Sequence, residues 1–359
     1  MLHEGRFALK AFAGVAALLF AGAACAQSSV TLYGILDTGV LYTSKTAGTA
    51  AGQNAGKNVS LIEGGLTPSI FGLTGTEDLG GGLKISFKLE SGISPANGGL
   101  ADCNGNLFGC QAWVALDNQY GTFKAGLQYS PFFLAVYESD PRDFDLFGSG
   151  IVNYVDNVIG TGIFSPNSVS YTSPEIAGFQ GSVLYSLGGI AGNFQAGRQY
   201  AASLKYELGG FMINASIIDA NAGGNAQTPV QTAMEFEGRT IGAAYKIGAV
   251  TAKLSFVNYK VSGSFNNNVF GGGLDYHVTP AVDVNGGVWV TSDRNHTANH
   301  SVMGALGATY FVSKRTSFYV QVGAVDNQGL MNTGISTNGA TFGVQGTTVA
   351  ALVGLRHTF

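Results

Sequence analysis

The last thirteen residues, TTVAALVGLRHTF (347–359), put Val349, Ala351, Val353, Leu355, His357 and Phe359 on one side of an extended chain, and Leu352 and Arg356 on the other. A period of two marks a β-strand with two distinct faces. Chain ends in water are usually polar and frayed, so a terminal phenylalanine points to a strand that ends in an apolar medium. The same period recurs upstream. Ile85, Phe87 and Leu89 oppose Ser86, Lys88 and Glu90; Phe179, Gly181, Val183 and Tyr185 oppose Gln180, Ser182 and Ser186, with Leu184 breaking the pattern. Val250, Ala252, Leu254 and Phe256 oppose Thr251, Lys253 and Ser255.

Composition decides what these strands build. The 359 residues carry 18 basic and 22 acidic side chains, so 11% are charged, where a soluble globular chain averages about 25%. A soluble sandwich would also alternate, but its polar face meets bulk water and calls for more charge than this. There are 54 glycines, and each interior glycine costs a helix roughly 1 kcal/mol, which works against a helical bundle. Beyond the N-terminal segment no stretch offers the ~18 apolar residues of a spanning helix. The net charge of -4 lacks the basic excess that would neutralise phosphates, so nucleic acid is not expected as a partner. The expectation is an all-β transmembrane antiparallel barrel, apolar outside and lined by small polar residues.

The first 26 residues read as an export signal. Arg6 and Lys10 precede the apolar run Ala11 to Ala23, and Ala24-Cys25-Ala26 is the small-x-small pattern of signal-peptidase cleavage. Cleavage is placed before Gln27. Lipid attachment at Cys25 is the rival reading, against which Gly22 stands where a lipoprotein signal usually has leucine. Residues 27–359 then form a single barrel domain.

Short turns count the strands. They fall at TEDLGGGLK (76–84), DNQYG (117–121), SPEIAGF (173–179), ELGGF (207–211), KIGAV (246–250), VTPAV (278–282) and SKRTS (313–317). Each interval suits two strands of about ten residues and a longer loop at the opposite end, as in outer-membrane barrels. Seven such turns give sixteen strands. One interval has room for an extra loop of about 35 residues, roughly 130 to 166, a length uncommon without a function.

Two cysteines remain after processing, Cys103 and Cys110 in DCNGNLFGC. An oxidising compartment and a glycine-rich spacer favour a local disulfide, and a zinc site lacks the further Cys or His nearby that it would need. Enzyme signatures are missing: there is no Gly-x-Ser-x-Gly elbow and no His-Glu-x-x-His motif. His296 and His300 lie in what reads as an exposed loop, His277 and His357 near strand ends, and Glu77-Asp78 in a rim turn. No catalytic residue, metal or cofactor is expected.

At this point the chain resembles the trimeric general porins of Gram-negative outer membranes, of the beta-proteobacterial type. The resemblance runs through QSSVTLYGILDTG (27–39), FGLTGTEDLGGGLKISFKLESG (71–92), YGTFKAGLQYS (120–130), NSVSYTSPEIAGF (167–179) and VGLRHTF (353–359). It implies sixteen strands, a homotrimer, contact with outer-membrane lipid and lipopolysaccharide, and a third loop folded into the lumen. It also implies that the barrel-assembly machinery reads the terminal Phe359, and that the second external loop, with Cys103 and Cys110, latches onto a neighbouring subunit.

Departures from the family pattern concern the pore wall. Members commonly show Ser-Arg-Phe-Gly-Leu-Lys-Gly where this chain has Ser69, Ile70, Phe71, Gly72, Leu73, Thr74 and Gly75, and Gly-Arg-Gln-Tyr where it has Gly126, Leu127, Gln128 and Tyr129. Phe164 stands where another arginine is often found. Alternation turns Ile70 and Thr74 toward the lumen, together with Lys88, Glu90 and Lys124; Leu127 turns inward only if Gly126 sits in a bulge. YESDPRDFDLFG places Glu138, Asp140, Arg142, Asp143 and Asp145 in the third loop, where the resemblance implies that they line the constriction.

The function expected is a water-filled channel for passive diffusion of small hydrophilic solutes and ions across the outer membrane. Two alternatives stay open: a channel specific for one solute class, suggested by Phe132, Phe133, Tyr137, Phe144 and Phe147 in the third loop, or a structural or adhesive barrel with a plugged lumen.

Overall fold

The computed structural model describes residues 29–50, 52–157, 163–224 and 229–359; the expected export signal lies outside them. Strands β1 (Ser29–Thr43), β2 (Asn58–Ile62), β3 (Ile70–Gly80), β4 (Leu83–Gly92), β5 (Gln111–Asn118) and β6 (Gly121–Tyr129) come first. Helices α1 (Pro131–Ser139) and α2 (Gly150–Asn157) follow in the third loop. Then come β7 (Phe164–Thr172), β8 (Phe179–Ser186), β9 (Gln199–Leu208), β10 (Phe211–Gly224), β11 (Pro229–Ile247) and β12 (Val250–Val261). The chain ends with β13 (Asn266–Thr279), β14 (Val282–Asp293), β15 (His300–Phe311), β16 (Thr316–Gln328), the small hairpin β17 (Thr333–Ser336) and β18 (Ala340–Phe342), and β19 (Gly346–Thr358).

Each wall strand pairs antiparallel with the next, and β19 closes the ring on β1, with Val40 opposite Val353 and Asp37 opposite Arg356. β2 and β3 both lie along β1 and form one wall strand interrupted at residues 63–69. With β17 and β18 paired apart from the wall, the described residues make a barrel of sixteen strands. All seven short turns read from the sequence join neighbouring wall strands at one end. Full closure leaves no sheet edge, which is what lets a β structure sit in lipid.

The terminal strand has the two faces its period demands. Val349, Val353, Leu355 and Phe359 are exposed on the outer surface, as are Val30, Leu32 and Val40 of β1, whereas Leu352 is fully buried. Phe359 closes the seam with hydrogen bonds from its nitrogen to the Gly34 carbonyl (3.0 Å) and from the Gly34 nitrogen to its own carbonyl (3.2 Å).

The inner face is not uniformly wet. The interruption between β2 and β3 turns inward around Asp37, whose carboxylate accepts hydrogen bonds from the nitrogens of Gly65 (3.2 Å), Leu66 (3.1 Å) and Thr67 (3.0 Å) and from the Tyr319 hydroxyl (2.6 Å). A carboxylate can be buried when its lone pairs are filled this way. Leu352 packs within this filled sector, in one buried cluster with Leu41, Ile62 and Leu66, so this part of the inner wall is a dry core.

The third loop also lies inside the barrel. Ser130 caps α1 by accepting from the Phe133 nitrogen (3.1 Å), and Pro131 occupies the first turn, where its missing N–H costs nothing. α1 approaches β11 closely because Gly238 and Gly242 form its floor: a Cβ on Gly242 would stand 2.2 Å from that of Ser139, and one on Gly238 2.6 Å from the Phe132 ring. Above this floor Phe132, Tyr154 and Tyr259 pack edge to face or tilted, at centroid distances of 6.0, 6.2 and 5.8 Å. The β17–β18 hairpin of the last loop folds in from the other side. The Gly148 nitrogen donates to the Ile335 carbonyl (2.8 Å), and the Thr337 nitrogen to that of Leu146 (2.9 Å).

Candidate pore constriction

The five charged residues of the third loop divide into two groups. Asp140, Arg142 and Asp145 are buried. Asp140 accepts from the nitrogens of Arg142 (2.9 Å) and Phe144 (3.1 Å) through one oxygen, and from Gly150 at the start of α2 (2.8 Å) through the other. The Arg142 guanidinium donates to Asn285 Oδ1 (2.9 Å), to the carbonyls of Phe147 (3.0 Å) and Gly148 (2.9 Å), and to Asp145 Oδ2 (3.2 Å). Gln321 Nε2 reaches the same Asp145 oxygen at 3.4 Å. Burial pushes the Asp145 carboxyl up, against the pull of Arg142. These contacts fix a turn in which Asp143 and Phe144 take left-handed backbone angles (φ 49° and 58°), a conformation that persists only where its surroundings impose it.

Glu138 and Asp143 form the second group, facing open space with side-chain exposures of 35% and 61%. Each meets a wall lysine. Lys205 on β9 lies 3.0 Å from Glu138, which also accepts from Asn214 (3.3 Å), and Lys253 on β12 pairs with Asp143. The expectation that all five charges line the opening is therefore corrected: three are taken up in fixing the loop and tying it to Asn285 and Gln321 of the wall, because a loop packed inside a barrel needs polar side chains to satisfy its own backbone. Lys205 and Lys253 were not singled out from the sequence, although period-two parity already placed Lys253 on the inner face of its strand.

On the other side of the ring, Ile70 pairs with Ile35 and Thr74 with Thr31 and Lys88, on the same face as Tyr33 and Asp37. Lys88 lies 2.9 Å from Glu90, whose oxygens also accept from the Tyr33 hydroxyl (2.7 Å) and Gln111 Nε2 (3.1 Å). Lys124 stands over the Trp113 ring at 4.4 Å, a cation–π contact. The ladder from β6 to β7 slips between Gly126 and Gln128, and Gly126 has a φ of 129°. Leu127 sits at this bulge opposite Ala112, half-buried against the apolar cluster. Phe164 is buried beside Tyr129, ring centroids 6.0 Å apart, where the third loop rejoins the wall. It therefore packs against protein, and its reading as a water-facing wall residue is corrected.

The loop aromatics resolve similarly: Phe132, Phe144 and Phe147 are buried and Tyr137 is exposed. Cys103 and Cys110 are buried in the second loop with their sulfurs joined and Cα atoms 4.8 Å apart, while Leu100 and Leu107 beside them are exposed.

A closed sixteen-stranded ring with apolar residues outside and a loop held against its inner wall defines a transmembrane channel. The chain belongs to the Gram-negative porins, whose family profile matches residues 13–330. It is 31% identical to an outer membrane porin protein of Bordetella pertussis over 96% of this chain and 98% of that one. It is 30% identical to outer membrane porin protein 32 of Delftia acidovorans over 98% and 99% of the two chains. Among solved structures it is similar to an anion-selective porin from Comamonas acidovorans, with a TM-score of 0.78 at 24% identity over 93% of this chain and all of that one. The trimer form of an outer membrane protein of Vibrio cholerae gives 0.69 at 16% identity, covering 92% and 99%. The protein is thus an outer-membrane porin, a channel rather than an enzyme, and the family is typically trimeric.

Proposed function

We propose that this porin is a homotrimeric, water-filled pathway for passive diffusion of small hydrophilic solutes and ions, with weak charge selectivity. Its narrowest part lies between the third loop, presenting Glu138, Asp143 and Tyr137, and the wall at Ile70, Thr74, Lys88 and Lys124. The observation that carries this reading is the pairing of both exposed loop carboxylates with lysines. A neutralised pair contributes little field, and fixed charge beside a narrow aqueous path is what enriches one ion over the other. The similar Comamonas porin is described as anion-selective. Here Ile70, Thr74, Leu127 and Phe164 occupy positions that are basic in many members, so the basis for strong anion preference is lacking. Burial of Phe132, Phe144 and Phe147 weighs against a channel specific for one solute class, since it leaves Tyr137 as the exposed ring of these loop aromatics able to stack on a passing solute.

Trimer contacts are assigned to the second loop, where the Cys103–Cys110 link stiffens a segment presenting Leu107. Leu100 and Leu107 are both exposed there and offer an apolar contact to a neighbouring subunit. The outer barrel face meets lipid and lipopolysaccharide, and Phe359 serves as the signal for the assembly machinery. Reversal potentials in a KCl gradient across planar bilayers test the selectivity: a small potential is expected, and strong chloride selectivity overturns it.

A further inference from the structure

At the short-turn end of the lumen, β13 and β14 bring together Asp275, His277 and Asp283, one donor atom from each lying within 4.8 Å of the others. His277 pairs with Asp283 in the ladder, and Asp275 pairs with Asn285, the residue that meets Arg142 inside the barrel. All three therefore point inward. His277 Nδ1 lies 2.9 Å from Asp275 Oδ1 and 3.0 Å from Asp283 Oδ1. One imidazole nitrogen carries at most one proton, so it cannot donate to both carboxylates. Asp283 Oδ1, although at ion-pair distance, is buried without a hydrogen bond.

We propose that Asp275, His277 and Asp283 form a binding site for a divalent transition-metal ion of the zinc class on the channel wall. A cation in place of the single proton satisfies both carboxylates and the ring nitrogen together. Zinc takes nitrogen and carboxylate ligands at about 2.0 to 2.2 Å, so the two contacts at His277 Nδ1, at 2.9 and 3.0 Å, need to open by only a few tenths of an ångström to admit the ion between them. An imidazole in the set favours zinc, copper or nickel over magnesium or calcium, which prefer oxygen alone. Three protein ligands leave a further position for water or a passing anion, and His277 is largely exposed toward the lumen mouth. The site is open, as a transit or modulatory site must be, and was missed in the sequence because its ligands lie on two strands.

The test is calorimetric titration of the folded, detergent-solubilised protein with ZnCl2, comparing wild type with His277→Ala and Asp283→Asn, each confirmed as a heat-modifiable barrel. One zinc per chain is expected. Since even outer-shell changes cost a metal site about 10- to 100-fold in affinity, loss of a direct ligand should weaken binding by at least that much. MgCl2 should give no comparable binding. Should either variant fail to form a barrel, Asp275→Asn takes its place. No zinc binding by wild type, or equal affinity in wild type and variants, overturns the proposal.

Discussion

The barrel wall and the third loop are held by opposite means. In β19 the main chain does the holding: its ladders to β1 and β16 are unbroken, and the side chains answer only to what lies on either side. In the loop the main chain is irregular and side chains hold it, with Asp140 and Arg142 supplying partners that a ladder would otherwise provide. A wall side chain is thus replaceable if polarity suits its face, whereas a buried loop side chain is replaceable only by a group making the same hydrogen bonds.

The strongest way to break this contrast is Arg142→Ala. Removing one partner of a buried, hydrogen-bonded ion pair costs about 3 to 5 kcal/mol, here confined to the loop. Limited proteolysis should cut between 140 and 150 and single-channel current should become noisier, while the barrel's heat-modifiable shift stays as in wild type. A quiet, protease-resistant variant would show that the guanidinium is dispensable.

Next in size is Val353→Arg on the lipid face, where an arginine near the midplane costs about 2 to 4 kcal/mol, falling to ~0 to 1 near the interface. His357→Arg, four residues on toward the rim, should therefore assemble in much better yield. Equal yields of heat-modifiable barrel from the two would place the hydrophobic band elsewhere. Leu352→Arg is no mild control, because Leu352 packs in the dry sector beside Gly39 and Gly65; it should also impair folding.

The second loop adds a covalent case. Cys110→Ser should remove about 2 to 3 kcal/mol of local stability in the chain-entropy model, read as a lower dissociation temperature of the trimer. Trimers of equal heat resistance would deny the loop its latching role, and peptide mapping that found free thiols in wild type would deny the bond itself.

Smallest in energy is the double change Lys205→Gln and Lys253→Gln. Partly exposed ion pairs contribute about 0 to 1 kcal/mol, so stability should hardly move. Glu138 and Asp143 are then left unopposed, and the reversal potential in a KCl gradient should shift toward cations. An unchanged potential would locate the selective field away from the third loop.

Strand faces and turns were legible in the sequence because backbone geometry repeats every two residues and lipid punishes errors of polarity. Thus Val353 and Leu352 could be sorted by parity alone. What parity could not say was whether inward means wet: Leu352 faces inward into a cluster closed by residues 63–69. Nor could charge type sort Asp143 from Asp145, two residues apart, one exposed beside Lys253 and the other buried against Arg142. Their difference depends on Asn285 and Gln321, contributed by strands far along the chain. Gly238 and Gly242, which seat α1, gave only the weak signal of two small residues at matching parity.

The hydrogen bonds between residues 146–148 and the β17–β18 hairpin bear on the order of assembly. Thr337 is 191 residues from Leu146, and the hairpin lies between β16 and β19, the last two strands of the wall. Contacts so distant in sequence cannot form until the intervening chain is in place. The loop that narrows the lumen therefore receives these ties only once the chain through β16 and the hairpin is in place, so a barrel stalled before that step has a looser interior than a finished one.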